Sequence, residues 1–92
     1  MHYYKSAHGW AYGDEVSKPL AVIVVSGDRS KNLVIEHTEV DPSLRGEGRG
    51  RELVMLVVEE ARRTGAQIVP RCPYAAKVLA GEASLRSLIA LP

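Results

Sequence analysis

The hydrophobic residues of this chain change their spacing along the sequence, and the changes divide it into predicted strands and helices. A β-branched run over residues 20–25 predicts a buried strand, and residues 33–40 predict a second one. Gly27 and Asp28 between them suit a hairpin connection, so these two strands should pair in antiparallel orientation. Apolar residues then recur at helical spacing over residues 53–61, which predicts an amphipathic helix.

That helix should begin near Gly48 and end at Gly65, because glycine commonly follows a helix C-terminus. A short strand over residues 67–70 comes next, and Pro73 suits the first turn of a second helix over residues 74–80. A strand, a helix and another strand form a βαβ unit, so the strands on either side of the long helix should be parallel. The solvated side of that helix should carry four charged residues: Glu59, Glu60, Arg62 and Arg63.

The two ends of the chain have less regular patterns. Residues 1–13 hold three tyrosines and the single tryptophan, and their poor alternation predicts a short edge strand or an irregular arm. Two roles are open for these rings, which either cover one end of a small core or stack on a ligand. The tail over residues 84–91 has apolar residues at helical spacing and is either a last short helix or a frayed end.

Strict alternation along the second strand predicts which of its side chains share a face. Leu33, Ile35, His37 and Glu39 should point to one face of the sheet, and the residues between them to the other. Each face begins apolar and becomes polar toward the end of the strand. Because the polar end leads into a glycine-rich loop, His37, Thr38 and Glu39 should lie near that loop.

Composition limits the classes of protein to which the chain can belong. Its 92 residues suffice for one small domain, predicted over residues 1–92 with its core at 20–80. A net charge of +1 disfavours a nucleic-acid binder. The single cysteine, Cys72, suits a reducing compartment, and no stretch approaches the ~20 apolar residues of a membrane span. We therefore expect a cytoplasmic protein without nucleic-acid or membrane partners, and a homodimer through exposed sheet edges stays open.

The glycine-rich loop over residues 45–50 stands between the second strand and the long helix, where an anion site can form. Successive backbone N–H groups can point into one hollow there, and the helix N-terminus adds about half a positive charge. Gly46, Gly48 and Gly50 match neither a P-loop nor the dinucleotide fingerprint, whose third glycine is offset differently. From spacing alone, a phosphate or pyrophosphate site and a merely tight turn both remain open.

This loop belongs to a longer run that resembles a known family. The motif Arg45-x-x-Gly48-x-Gly50 opens a helix directly after a strand, and this arrangement resembles the acyl-CoA loop of the GCN5-related N-acetyltransferases (GNAT). The run His37–Gly50 and the downstream segment Val69–Tyr74 look like the small single-domain branch of that superfamily. The resemblance is specific over residues 33–80 and fades toward both ends.

The resemblance implies a compact α/β fold with a mixed sheet, two main helices, antiparallel N-terminal strands and a βαβ unit that carries the glycine loop. It also implies acetyl-CoA as the acyl donor. The loop amides would hold the CoA pyrophosphate, and the strand at 36–40 would offer its backbone to the pantetheine arm in the gap where the two parallel strands part. The implied cofactor-binding residues are Val40, Arg45, Gly46, Glu47, Gly48, Arg49, Gly50, Pro73 and Tyr74.

Three side chains are candidates for the chemistry of acyl transfer. Cys72 should lie near the thioester, as a nucleophile or as a thiol that touches the acyl group, unless it is a small side chain that fills the gap. Glu39 or His37 would take the proton of an acceptor amine, directly or through water, unless both are simply exposed strand residues. No metal is expected, because His2, His8 and His37 lack liganding companions at suitable spacing.

Two departures from the larger members of the family concern the acceptor. If residues 72–79 align with their Asn-x-x-Ala-x-x-Leu-Tyr pattern, Leu79 stands where a tyrosine would protonate the leaving thiolate. The N-terminal helices that build their acceptor wall also have no room in this chain. The sequence therefore supports two hypotheses: an acetyl-CoA-dependent N-acetyltransferase acting on an unidentified amine, or an acyl-CoA-binding module without transfer activity.

Overall fold

A five-stranded sheet and three α-helices make up the part of the chain that the computed structural model describes, residues 1–28 and 30–90. The strands pair with their neighbours in chain order, and the sheet is antiparallel except for its last pair. In chain order the elements are β1 (His2–Ser6), β2 (Gly9–Gly13), β3 (Ala21–Ser26), β4 (Asn32–Val40), a short 3-10 helix (Pro42–Leu44), α1 (Arg49–Thr64), β5 (Gln67–Pro70), α2 (Pro73–Ala80) and α3 (Ala83–Arg86).

The mixed sheet and the βαβ unit are confirmed. β3 and β4 form an antiparallel pair, whereas β4 and β5 are parallel, with Leu33 opposite Ile68. The helix α1 joins the two parallel strands and carries the glycine loop at its start. It ends at Gly65, whose left-handed φ of 78° lets the N–H of the next residue, Ala66, donate to the carbonyl of Ala61. Pro73 is the first residue of α2, as predicted.

The hydrophobic core lies between the sheet and α1. The strands β2 to β5 and the three α-helices contribute side chains that are almost completely buried, because one stripe of α1 faces one side of the strands. Burial reaches Ala11 at one end of the chain and Leu85 at the other. The largest fully buried side chains are Ile23, Leu33, Ile35, Leu53, Val54, Val57, Val58, Ile68, Leu79 and Leu85. Among the described residues, no helix combines the length and the apolar character that crossing a membrane requires.

The N-terminal residues form a complete hairpin, so the prediction of one short edge strand or an irregular arm is wrong. β1 pairs with β2, and β2 pairs with β3. Gly9 is the first residue of β2 and lies against β3, where a Cβ on it would be only 2.0 Å from the carbonyl oxygen of Ile23. The glycine is therefore needed by the close approach of β2 to β3, a tertiary contact that local sequence does not reveal. Tyr3, Trp10 and Tyr12 pack against the core, which is the first of the two predicted roles.

A β-bulge in β4 overturns the predicted alternation of its side chains. The register shifts between Val24 opposite His37 and Val25 opposite Ile35, so Glu36 is the extra residue. Thr38 pairs with Ile23, and residues opposite each other point to the same face. Beyond the bulge, Thr38 and Val40 thus continue the buried face of Leu33 and Ile35. His37 and Glu39 turn to the opposite, exposed face, which corrects their predicted grouping with Leu33 and Ile35.

Two further expectations need correction. Glu60 was assigned to the solvated side of α1, but it is 6% exposed, and its carboxylate lies 3.3 Å from the ammonium of Lys5 on β1. The β1–β2 hairpin extends the sheet far enough to cover that side of the helix. The tail is only in part the predicted short helix: α3 covers Ala83–Arg86, and the chain then forms a bridge in which the Ala90 amide donates to the Ile68 carbonyl. Leu91, the last residue of the predicted tail, lies outside the described residues.

Candidate functional site

The glycine loop lines a pocket at the N-terminus of α1. The pocket has a volume of about 150 Å³ and brings together seven of the nine predicted cofactor-binding residues. Glu47 and Pro73 are not in its lining; both are exposed, and the Glu47 carboxylate instead accepts a hydrogen bond from Arg49. Leu44, which the sequence analysis did not single out, completes the lining. The lining residues are Val40, Leu44, Arg45, Gly46, Gly48, Arg49, Gly50 and Tyr74.

The backbone of the loop leaves amide donors at the start of the helix. Gly46 and Gly48 have φ values of 84° and 77°, which side-chain-bearing residues rarely adopt. Gly48 is the N-cap of α1 and has no side chain that could accept from the first amides. The first amides of α1 are therefore available to an anion, and the helix dipole adds partial positive charge at the same point.

Gly50 brings the pocket wall close to the helix. A Cβ on Gly50 would lie only 3.1 Å from the ring and the hydroxyl of Tyr74, so the ring lies directly over this glycine. Tyr74, in the first turn of α2, thereby forms the side of the pocket opposite the loop. Its side chain is 43% exposed, which leaves the ring free to shift.

The parallel strands part beside this pocket. β5 pairs with β4 only as far as Pro70 opposite Ile35. The amides of Arg71 and Cys72 then both donate to the Ile35 carbonyl, and the chain turns away into α2. β4 continues to Val40 and pairs with β3 alone over residues 37–40. One backbone edge of β4 is therefore open toward the gap between the two strands, next to the glycine loop.

Cys72 lies at the end of this gap on the helix side of the sheet. It is 7% exposed, and its Sγ is 3.6 Å from the hydroxyl of Thr38. Burial raises the pKa of the thiol, but hydrogen bonds to the Ala75 amide and the Thr38 hydroxyl outweigh burial and leave the pKa below its ordinary value. The sequence places Thr38 near the glycine loop, but strict alternation assigns it to the face opposite Leu33, whereas the structure brings it to the same face.

His37 and Glu39 lie together on the exposed face of the sheet. His37 Nε2 is 3.2 Å from Glu39 Oε2, and both side chains are more than half exposed. They are thus on the opposite side of the sheet from Cys72 and Thr38, and the gap between β4 and β5 lies between the two pairs. Glu39 also lines a second cleft of about 300 Å³, which shares Val40 with the loop pocket and is bounded by Lys18–Val22 and by Asp41 and Pro42.

The fold and this site define an α/β protein in which a glycine-rich loop and an uncapped helix start lie beside a pair of parallel strands that move apart. A family model described as GCN5-related N-acetyl-transferase matches residues 10–88. The match spans most of the chain, so the chain belongs to this family. A search of curated proteins found no match.

Proposed function

We propose that this protein is an acetyl-CoA-dependent N-acetyltransferase that acts on an amine. The proposal rests on two features that lie next to each other. One is the glycine loop with the uncapped start of α1, and the other is the open backbone edge of β4, whose last residue, Val40, lines the loop pocket. The first suits a diphosphate, and the second suits an extended, amide-containing arm. Membership of the N-acetyltransferase family supports the assignment of both to CoA.

The residues present fit the CoA diphosphate. None of the residues that line the loop pocket is acidic, and Arg45 is exposed with no acidic partner among the described residues. The amides of the loop and the first turn of α1 would hold the phosphate oxygens, while Val40 and Tyr74 would border the pantetheine arm. Gly50 keeps this wall open, because any side chain there would contact the Tyr74 ring.

The acyl end of the arm would then lie in the gap near Cys72 and Thr38. Acetyl-CoA supplies a thioester, whose carbonyl carbon is the electrophile for an amine. Cys72, held as a low-pKa thiol by the start of α2, would contact the acyl group from the helix side. Because Cys72 is nearly buried, we propose that it contacts the acyl group or attacks it as a nucleophile. It would not be the residue that meets the amine arriving from solvent.

The amine would approach from the exposed face of the sheet. His37 and Glu39 lie there, within hydrogen-bond distance of each other, and either side chain can accept the proton that the amine must lose. The gap between β4 and β5 connects the two faces, so a base on one face and a thiol on the other are both compatible with an acyl group between them.

The alternative is an acyl-CoA-binding module without transfer activity. One observation favours it: Leu79, at the position implied for a tyrosine acid, is completely buried in the core. The hydroxyl of Tyr74 lies against Gly50 at the glycine loop, which is the phosphate end of the site. Neither residue therefore offers an obvious acid for the leaving thiolate.

A turnover assay separates the two functions. The protein is incubated with acetyl-CoA and a panel of primary amines, and released CoA thiol is measured alongside calorimetric binding of CoA. We expect amine-dependent release that falls at least about 100-fold in a His37→Gln, Glu39→Gln double variant, with CoA affinity unchanged. Binding without release for every amine would contradict the transferase and support the binding module. Absence of binding by folded protein would contradict both.

A further inference from the structure

Arg49 is held by the N-terminal hairpin and not by the pocket that it borders. Its guanidinium lies 4.3 Å from the centre of the Tyr12 ring and 5.9 Å from that of Tyr3. Nη1 donates to the Tyr3 hydroxyl at 3.4 Å and to the Glu52 carboxylate at 3.3 Å, and Nε donates to Glu47 at 3.4 Å. The side chain is 28% exposed, so a large part of it is already removed from water.

The contacts around Arg49 form a closed cluster. Tyr3 and Tyr12 are directly opposite each other on β1 and β2, with ring centres 4.8 Å apart, and the Tyr3 hydroxyl donates to Glu52. The hydrogen bond to Tyr3 and the nearby tyrosines raise the pKa of Arg49, so its charge is fixed at every ordinary pH. To reach a phosphate, the guanidinium would have to leave both rings and two carboxylates.

The position of Arg49 in the chain makes this cluster relevant to the loop. Arg49 is the first residue of α1 and stands between Gly48 and Gly50, two glycines of the pocket lining. Glycines leave a backbone more freedom than other residues do, and Gly46 and Gly48 both adopt positive φ. An anchored side chain directly after Gly48 restricts the backbone whose amides must converge on an anion.

We propose that Tyr3 and Tyr12 hold Arg49 as a positioning residue, which fixes the glycine loop in its anion-binding conformation. This inference rests on the proposed function, because the anion is taken to be the CoA diphosphate. It assigns Arg49 a role through the loop backbone in place of a direct contact to phosphate. It also gives the N-terminal hairpin, of which β1 lies outside the residues 10–88 that match the family model, a part in cofactor binding.

The test compares CoA with 3′-dephospho-CoA by calorimetry, using variants of the cluster. We expect Tyr12→Leu and Arg49→Gln each to weaken both ligands about five- to tenfold and by the same factor. The double variant should be no weaker than the worse single variant, since the two residues act as one unit. Tyr12→Phe keeps the ring face and should bind like wild type. Arg51→Gln removes an equal charge two residues further along the helix, where the partner is Glu82, and should change affinity less than twofold.

Two results would overturn the proposal. If Arg49→Gln erased the difference in affinity between CoA and 3′-dephospho-CoA while Tyr12→Leu changed neither affinity, Arg49 would be a direct ligand of the 3′-phosphate.

The second test needs no ligand. Amide hydrogen exchange of the loop glycines should be at least about fivefold faster in Tyr12→Leu than in Tyr12→Phe. Equal exchange would refute the positioning role. Faster exchange in a protein that binds no CoA would leave the cluster established and contradict only the proposed function.

Discussion

Replacing Gly50 with alanine should separate binding from stability. An alanine Cβ would lie 3.1 Å from Cε2 of Tyr74, whereas carbon atoms at optimal separation are about 3.5–4.0 Å apart. The ring must therefore move by about half an ångström, which its 43% exposure permits. Gly50 has an ordinary helical conformation within α1, so alanine should also be the better helix former, by about 0.5–1 kcal/mol.

The expected result is a protein that is at least as stable as wild type but binds CoA more weakly. The added methyl group and the displaced Tyr74 ring both intrude on a pocket of only about 150 Å³. Overpacking a fitted site typically costs about 1–3 kcal/mol, and 1.4 kcal/mol corresponds to about a tenfold loss of affinity. Thermal unfolding gives the stability, and calorimetry with CoA gives the affinity.

Gly81→Ala is the matched control. Gly81 also has a negative φ, at −73°, and its Cβ would lie 3.3 Å from the carbonyl of Val78, but it ends α2 outside the pocket lining. We expect its CoA affinity to stay within about twofold of wild type. If Gly50→Ala bound CoA as tightly as this control, the assignment of the pocket would be wrong. A loss of more than about 1 kcal/mol of stability in Gly50→Ala would mean that the Tyr74 ring cannot move away from the added methyl group, which would contradict the prediction.

Three further predictions concern other parts of the molecule. Alkylation of Cys72 should follow a thiol pKa below the ordinary value, and Thr38→Val should move the midpoint of its pH profile upward. Hydrogen bonds from nearby serines lower the pKa values of Asp28 and Asp41 in the folded protein, so their contribution to stability should be complete above about pH 4 and be lost as the pH falls through these lowered values. In the Asp28→Asn, Asp41→Asn double variant, the free energy of unfolding should therefore depend less steeply on pH in this range, and an unchanged dependence would contradict the prediction. Leu79→Ala should lower the free energy of unfolding by about 2–5 kcal/mol in denaturant titrations, because the side chain is fully buried.

Local sequence predicted the elements whose causes are local. The long helix follows from apolar spacing, and its end follows from Gly65, which needs only its own left-handed conformation. The βαβ unit follows from the order of these elements. The glycine loop could be predicted because its glycines and the start of the helix all lie within the six residues 45–50.

The features that the sequence did not predict depend on contacts between distant segments. The bulge at Glu36 exists only in relation to the register of β3, and it decides which face receives Thr38. Glu60 is buried because Lys5, 55 residues earlier, reaches it from β1. Likewise, nothing in the sequence around Arg49 indicates that its guanidinium would pack on the ring of Tyr12. Periodicity within one segment contains no information on these pairings, so the predicted grouping of His37 with Leu33 and Ile35 was wrong.

The most direct test of the CoA site is a titration of ¹⁵N-labelled protein with CoA, followed by amide chemical shifts. Binding of CoA at the glycine loop should produce saturable shifts that are largest at Gly46, Gly48 and Gly50 and continue along β4 to Thr38. Shifts confined to the cleft that Lys18 lines, or no saturable shifts from a folded protein, would contradict it.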